Sequence, residues 1–144
     1  MANGKPTVLK TVASQGAWRF ESSTLRIRME DTYSGTDFYC DVALKGKVFL
    51  KKEYESEQVL AYHHTNPHWP VHIVVVPKKH ISTFTTLSKA DELILLEIVQ
   101  VLKTIAATIE KEHGAARILT NLGKYQDSRH LHFHVCSGDP IRSV

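Results

Sequence analysis

The sequence predicts an α+β domain: a largely antiparallel sheet of about five strands and one long helix. Three observations carry that expectation. Residues 130–136 alternate without a fault between imidazole and apolar side chains, the period-2 pattern of an extended strand. Residues 88–114 carry apolar side chains at helical spacing between a start and a stop signal. The other β-like runs are short and closely connected, so a single helix among them cannot supply the crossovers of a parallel sheet.

Taken in order, residues 1–36 form an N-terminal extension and residues 37–144 the main domain. In the extension Leu25, Ile27 and Met29 alternate with Arg26 and Arg28, and Trp18 and Phe20 precede the Ser22–Ser23 turn signal. A small hairpin followed by a polar linker is predicted there. Phe38, Tyr39, Val42 and Leu44 make a short apolar element, either strand or one-turn helix, and residues 48–50 are extended. Residues 59–62 form a strand, followed by a loop rich in turn formers that ends at Pro70. The β-branched run 71–76, stopped by Pro77, has the composition of a central strand.

The helix begins at Ser88, a good N-cap whose third residue on is Asp91. Leu95, Ile98, Val99, Leu102, Ile105, Ala106 and Ile109 form its apolar stripe, and Gly114 stops it. Ile94 and Val101 widen that stripe beyond the needs of one sheet face. Residues 117–121 are a strand, 122–129 a tight loop, and 130–136 the last strand.

Of the 144 residues, 42% are hydrophobic, enough to bury a core. The formal charge of +3 is spread along the chain, which excludes a nucleic-acid signature. Two cysteines do not make a disulfide framework, the first ten residues have no apolar signal segment, and Glu97, Gln100 and Lys103 interrupt the longest apolar stretch. A cytoplasmic protein with no membrane span is expected.

His130, His132 and His134 share one face of the last strand, and Leu131, Phe133 and Val135 the other. Three uses of such a row compete: metal ligation, a structural polar groove, and nucleophilic catalysis. Zinc hydrolase sites add a nearby carboxylate, and none lies between Arg129 and Gly138. A neutral imidazole attacks phosphorus well and its adduct is labile to water. That chemistry needs a nucleophilic histidine, a neighbour that fixes its tautomer, and donors for phosphate oxygens. Gly123, Gln126 and Ser128 lie just upstream as sources of such donors.

The segment His130-Leu131-His132-Phe133-His134-Val135-Cys136 resembles the histidine triad motif of the HIT family of nucleotide hydrolases and transferases. Residues 66–81, with His72 opening a strand that ends in Pro77-Lys78-Lys79-His80, resemble the family's upstream stretch. The similarity covers residues 37–137 and implies a HIT-like fold. It implies that His132 is the nucleophile on an α-phosphate, that His134 stabilises the phosphate and assists the leaving group, and that His130 and His72 orient the imidazoles. It places Asn121, Gln126 and Ser128 near ribose and phosphate, and Phe38, Tyr39 and Val42 at the base pocket.

Several positions depart from the family pattern. Asp127 stands where many members have Ser or Thr, and His64 where many have a ribose-binding Asp. Some members hold zinc through Cys-x-x-Cys; Asp37 replaces the first of these ahead of Cys40, which argues against structural zinc. No catalytic metal or cofactor is required. His63, His68, His80 and His113 are taken as surface or supporting groups. The resemblance implies a homodimer acting on a purine nucleotide or nucleotide conjugate, as a phosphoramidase or a dinucleoside polyphosphate hydrolase, with no specific nucleic-acid partner. A nucleotide-binding scaffold with incidental turnover and a histidine-based metal protein are the alternatives.

Overall fold

The computed structural model describes residues 35–142, so the hairpin expected around residues 18–29 lies outside the described residues. Five strands, β1 (Lys52–Glu55), β2 (Val59–His63), β3 (Val71–Pro77), β4 (Arg117–Leu119) and β5 (Phe133–Ser137), form one sheet in the spatial order β1-β2-β3-β5-β4. Every neighbouring pair is antiparallel. β3 takes the centre, where both faces are covered, and this is why its apolar run is continuous. Residues 48–50 belong to no strand; β1 begins at Lys52 and slips register between Lys52 and Tyr54. Such an irregularity is common on an edge strand.

The long helix, α1 (Glu92–His113), starts later than Ser88. Asp91 Oδ2 accepts from both the backbone N–H and the hydroxyl of Ser88, at 3.0 and 3.1 Å. This reciprocal cap closes a tight turn over Lys89–Asp91 before the α-helical bonding begins. Gly114 ends the helix at φ 83°, donating its N–H to the Glu110 carbonyl, a left-handed cap that glycine adopts without a Cβ penalty.

Each face of the sheet has its own core. Against α1, Val59, Ala61, Ile73, Val75, Leu131, Phe133 and Val135 pack on Ile94, Ile98, Val101, Leu102 and Ile109. Ile94 and Val101 are therefore core, whereas Val99 turns outward and is 47% exposed along with Leu93 and Leu96. The buried stripe is rotated by about one residue from the expected one. On the other face Leu60, Tyr62, Val74 and Val76 pack under Tyr39 and Ala43. Those two residues belong to a wide helical turn (Tyr39–Ala43), closed by the Leu44 N–H on the Tyr39 carbonyl at 2.7 Å.

Candidate active site

Side-chain parity along the strands puts the histidines on the face away from α1. Val74 pairs with His134 and His72 with Cys136, so His72 and His134 are diagonal neighbours on that face. The expected strand over residues 130–136 is only half laddered. β5 begins at Phe133; the register continued past it places Leu131 opposite Pro77, which has no N–H for the Leu131 carbonyl and whose own carbonyl accepts the His130 Nε2–H. The Leu131 N–H bonds the Ile81 carbonyl instead, at 2.6 Å. Residues 130–132 therefore peel off the sheet while remaining buried, with His130 0%, His132 2%, His134 6% and His72 3% exposed.

Fixed-role partners assign the tautomers. A backbone N–H can only donate and a carbonyl can only accept. The His68 N–H donates to His72 Nδ1 at 3.0 Å, so a neutral His72 carries its proton on Nε2 and donates to His134 Nδ1 at 2.8 Å. That leaves His134 with its own proton on Nε2. His132 donates Nδ1–H to the His130 carbonyl at 2.7 Å, leaving a lone pair on Nε2. This Nε2 is buried and has no hydrogen-bond partner among the described residues. The site thus presents one bare imidazole nitrogen beside one imidazole N–H, with the two rings 5.0 Å apart. Burial, reinforced by the neighbouring His134, pushes His72 down to about 3. Burial and then His132 push His134 down to about 4, so both remain neutral at ordinary pH.

Some of the other sequence-predicted residues reach the histidines, and others brace the loop beside them. Tyr39 lies 4.8 Å from the His132 ring, centroid to centroid, and Phe38 meets Tyr39 edge-on at 5.8 Å. Val42 is buried in the same turn. His64 stacks on His72 at 4.2 Å and accepts the Asn66 N–H on Nδ1; burial and the neighbouring imidazoles hold it neutral. Asn121 is half-buried, two residues beyond the end of β4. Ser128 Oγ accepts the Phe38 N–H at 3.1 Å, and Gln126 Nε2 donates to the carbonyls of Ser82 and Ser128. Both side chains thus brace the loop. Asp127 does not turn away from the site: its Oδ1 lies 3.6 Å from His132 Nε2.

Sequence reasoning missed Thr120, whose hydroxyl donates to the His132 carbonyl at 2.8 Å, and a lone threonine in a short strand gives no signal of that. His80, expected as a surface or supporting group, is half-exposed and reaches the partners of His130. His130 donates Nε2–H to the Pro77 carbonyl at 2.8 Å, turning Nδ1 toward Asp37 Oδ2 at 3.2 Å and Cys40 Sγ at 3.3 Å. His80 Nδ1 bonds the same carboxylate at 2.6 Å. Burial, then a hydrogen bond to Asp37, raises the Cys40 thiol to about 11, so it keeps its proton at ordinary pH. One polar atom from each of Asp37, Cys40, His80 and His130 lies within 4.8 Å of the others. Ligands of a tetrahedral zinc ion stand about 3.3–3.8 Å apart, whereas His80 Nδ1 and Asp37 Oδ2 are at the 2.6 Å of a hydrogen bond, so the four residues have the types of a zinc site in the arrangement of a hydrogen-bonded cluster. His63 bonds Glu53 at 2.8 Å and His113 sits beside Glu112 at the end of α1, both away from the triad.

Comparison with known proteins bears on this arrangement. The HIT domain family model matches residues 48–141. An uncharacterized 13.2 kDa HIT-like protein of Azospirillum brasilense is 31% identical over 113 residues, covering 76% of this chain and 92% of that protein. An uncharacterized HIT-like protein of Helicobacter pylori is 34% identical over 98 residues, covering 67% and 91%. Among solved structures, a HIT family hydrolase from Clostridium thermocellum superposes with a TM-score of 0.63 at 26% identity, covering 78% of this chain and 98% of that one. A histidine triad protein from Clostridium difficile gives 0.62 at 29%, covering 78% and 99%. The helix-backed antiparallel sheet and its row of histidines accordingly make this chain a member of the HIT family.

Proposed function

We propose that this chain is a nucleotide hydrolase that cleaves at the α-phosphate of a nucleoside phosphoramidate or a dinucleoside polyphosphate through a nucleotidyl-histidine intermediate. The observation that carries the reading is the bare, buried Nε2 of His132, with its Nδ1 proton held by the His130 carbonyl. In the first step the Nε2 lone pair attacks the α-phosphorus and the bond to the leaving nitrogen or oxygen breaks. The imidazolium that forms keeps its Nδ1–H on the His130 carbonyl. His134 Nε2–H bonds the phosphoryl oxygen and can pass its proton to the leaving group. In the second step water adds to phosphorus and gives a proton back to His134 Nε2, the N–P bond breaks with its electron pair returning to His132 Nε2, and a nucleoside monophosphate departs. Phe38, half-buried beside the buried Tyr39 and Val42, marks the apolar side proposed for a base, and His64 is the hydrogen-bond donor proposed for ribose.

No step needs a metal. Zinc held by Asp37, Cys40, His80 and His130 would tie the Tyr39–Ala43 turn to the triad segment and supply only that structural link. The metal-protein alternative has one observation in its favour, the convergence of His64, His72 and His134 within 4.8 Å. The 2.8 Å hydrogen bond between the last two supports the proton-relay reading instead. A homodimer is the proposed assembly, supported by exposed Leu93, Leu96 and Val99 on α1 and Ile118 on the edge strand β4; sedimentation at micromolar concentration tests it. Among the described residues no helix is long and apolar enough to cross a membrane.

AMP release from an adenosine phosphoramidate and from diadenosine tetraphosphate, each with and without a chelator, tests the reading. Chelator-resistant release from either substrate, lost in His132→Ala, is expected. Binding of AMP without release from either would favour the scaffold alternative, and release abolished by the chelator in a protein that remains folded would favour the metal.

A further inference from the structure

Among the described residues Asp127 is the one acidic side chain against His132, its Oδ1 3.6 Å from Nε2. Because His132 carries its proton on Nδ1, Nε2 presents a lone pair, and a carboxylate facing a lone pair makes no hydrogen bond. The contact therefore gives no structural reason for an acid at this position. The Asp127 side chain is 80% exposed on its other side, while its neighbours Gln126 and Ser128 anchor the loop. The Asp127 carboxylate thus stands over the nitrogen that phosphorus must reach.

We propose that Asp127 selects substrates by leaving-group charge, favouring nucleotide conjugates of a cationic amine and disfavouring polyphosphate leaving groups. This inference rests on the hydrolase reading above. In-line displacement puts the leaving group on the side of phosphorus away from His132. That is the solvent side, where the exposed Asp127 side chain has room to withdraw when a phosphate takes its place. A unit charge about 7 Å from a partly exposed carboxylate shifts the selectivity by about tenfold, favourably for a cation and unfavourably for an anion.

The test measures kcat/KM for three probes: the adenosine 5′-phosphoramidates of ethylenediamine and of propylamine, which differ by one charge at similar length, and diadenosine tetraphosphate. The unsubstituted protein, Asp127→Asn and Asp127→Glu are compared. The unsubstituted protein is expected to prefer the ethylenediamine conjugate over the propylamine one by about tenfold. Asp127→Asn brings that ratio close to one and raises tetraphosphate turnover about tenfold, whereas Asp127→Glu retains the preference. AMP release with ratios that Asp127→Asn leaves unchanged overturns the role of Asp127 alone. No AMP release from any probe by the unsubstituted protein overturns the hydrolase reading, and this selection with it.

Discussion

Replacing His72 by Ala removes a side chain that never touches phosphorus, which makes it a sensitive probe of the imidazole relay. His72 receives the His68 N–H at 3.0 Å and passes its own Nε2–H to His134 Nδ1 at 2.8 Å. Without it nothing holds the His134 proton on Nε2. A neutral hydrogen bond of this kind contributes about 1 kcal/mol, or roughly fivefold, to holding one orientation. Loss of a donor aimed at a developing oxyanion costs about 10²–10³ in kcat. The predicted fall in kcat lies between these limits, at about a hundredfold, with KM changed far less. The buried cavity and the orphaned His68 N–H should also lower stability by about 2 kcal/mol. Steady-state kinetics on an adenosine phosphoramidate, with denaturant unfolding and AMP binding as controls for the fold, measure all three. A kcat within twofold of the unsubstituted protein, with the variant folded, would refute the relay.

Further predictions concern pH, a backbone anchor and the core. His72 and His134 titrate at about 3 and about 4 in the folded chain, below the 6.5 of an unfolded histidine. As pH falls below about 6.5 the unfolded chain takes up protons that the folded chain refuses until about pH 4. Stability should therefore drop through that window by up to about 1.4 kcal/mol per pH unit for each of the two, and be flat in these groups above it. Equal unfolding free energies at pH 7 and pH 5 would contradict this. Thr120→Val removes the 2.8 Å bond to the His132 carbonyl and should cost about 1 kcal/mol of stability and several-fold in kcat. Ile98, fully buried between α1 and the sheet, should cost about 2–5 kcal/mol when cut to Ala, measured by denaturant midpoint with no change in AMP affinity per folded molecule.

The alternation of residues 130–136 marked one face for chemistry and the other for packing, and Leu131, Phe133 and Val135 do lie in the core under α1. That much follows from strand parity, a local property. Where the strand leaves the ladder does not, because the missing N–H belongs to Pro77, across the sheet. The helix could be read from Ser88, Asp91 and Gly114, yet Val99 faces solvent while Ile94 and Val101 are buried. Sequence spacing fixes the width of an apolar stripe better than its rotation when surplus apolar residues flank both sides. The diagonal meeting of His72 with His134 depends on β3–β5 register, across 62 positions of sequence. The gathering at His130 brings in Asp37 and Cys40 from 93 and 90 positions away, with His80 beside them. The identity of these side chains was plain in the sequence, but their company was set by tertiary packing. The same holds for Asp127, where the sequence showed an acid in place of a hydroxyl but not the direction of its carboxylate.

The central claim is that hydrolysis passes through a covalent bond between His132 Nε2 and phosphorus. The most direct measurement is the stereochemical course at an α-phosphorus made chiral by sulfur and by labelled water. Two successive in-line displacements, first by His132 and then by water, predict overall retention of configuration. Overall inversion would mean that water attacks phosphorus directly, and would contradict the account.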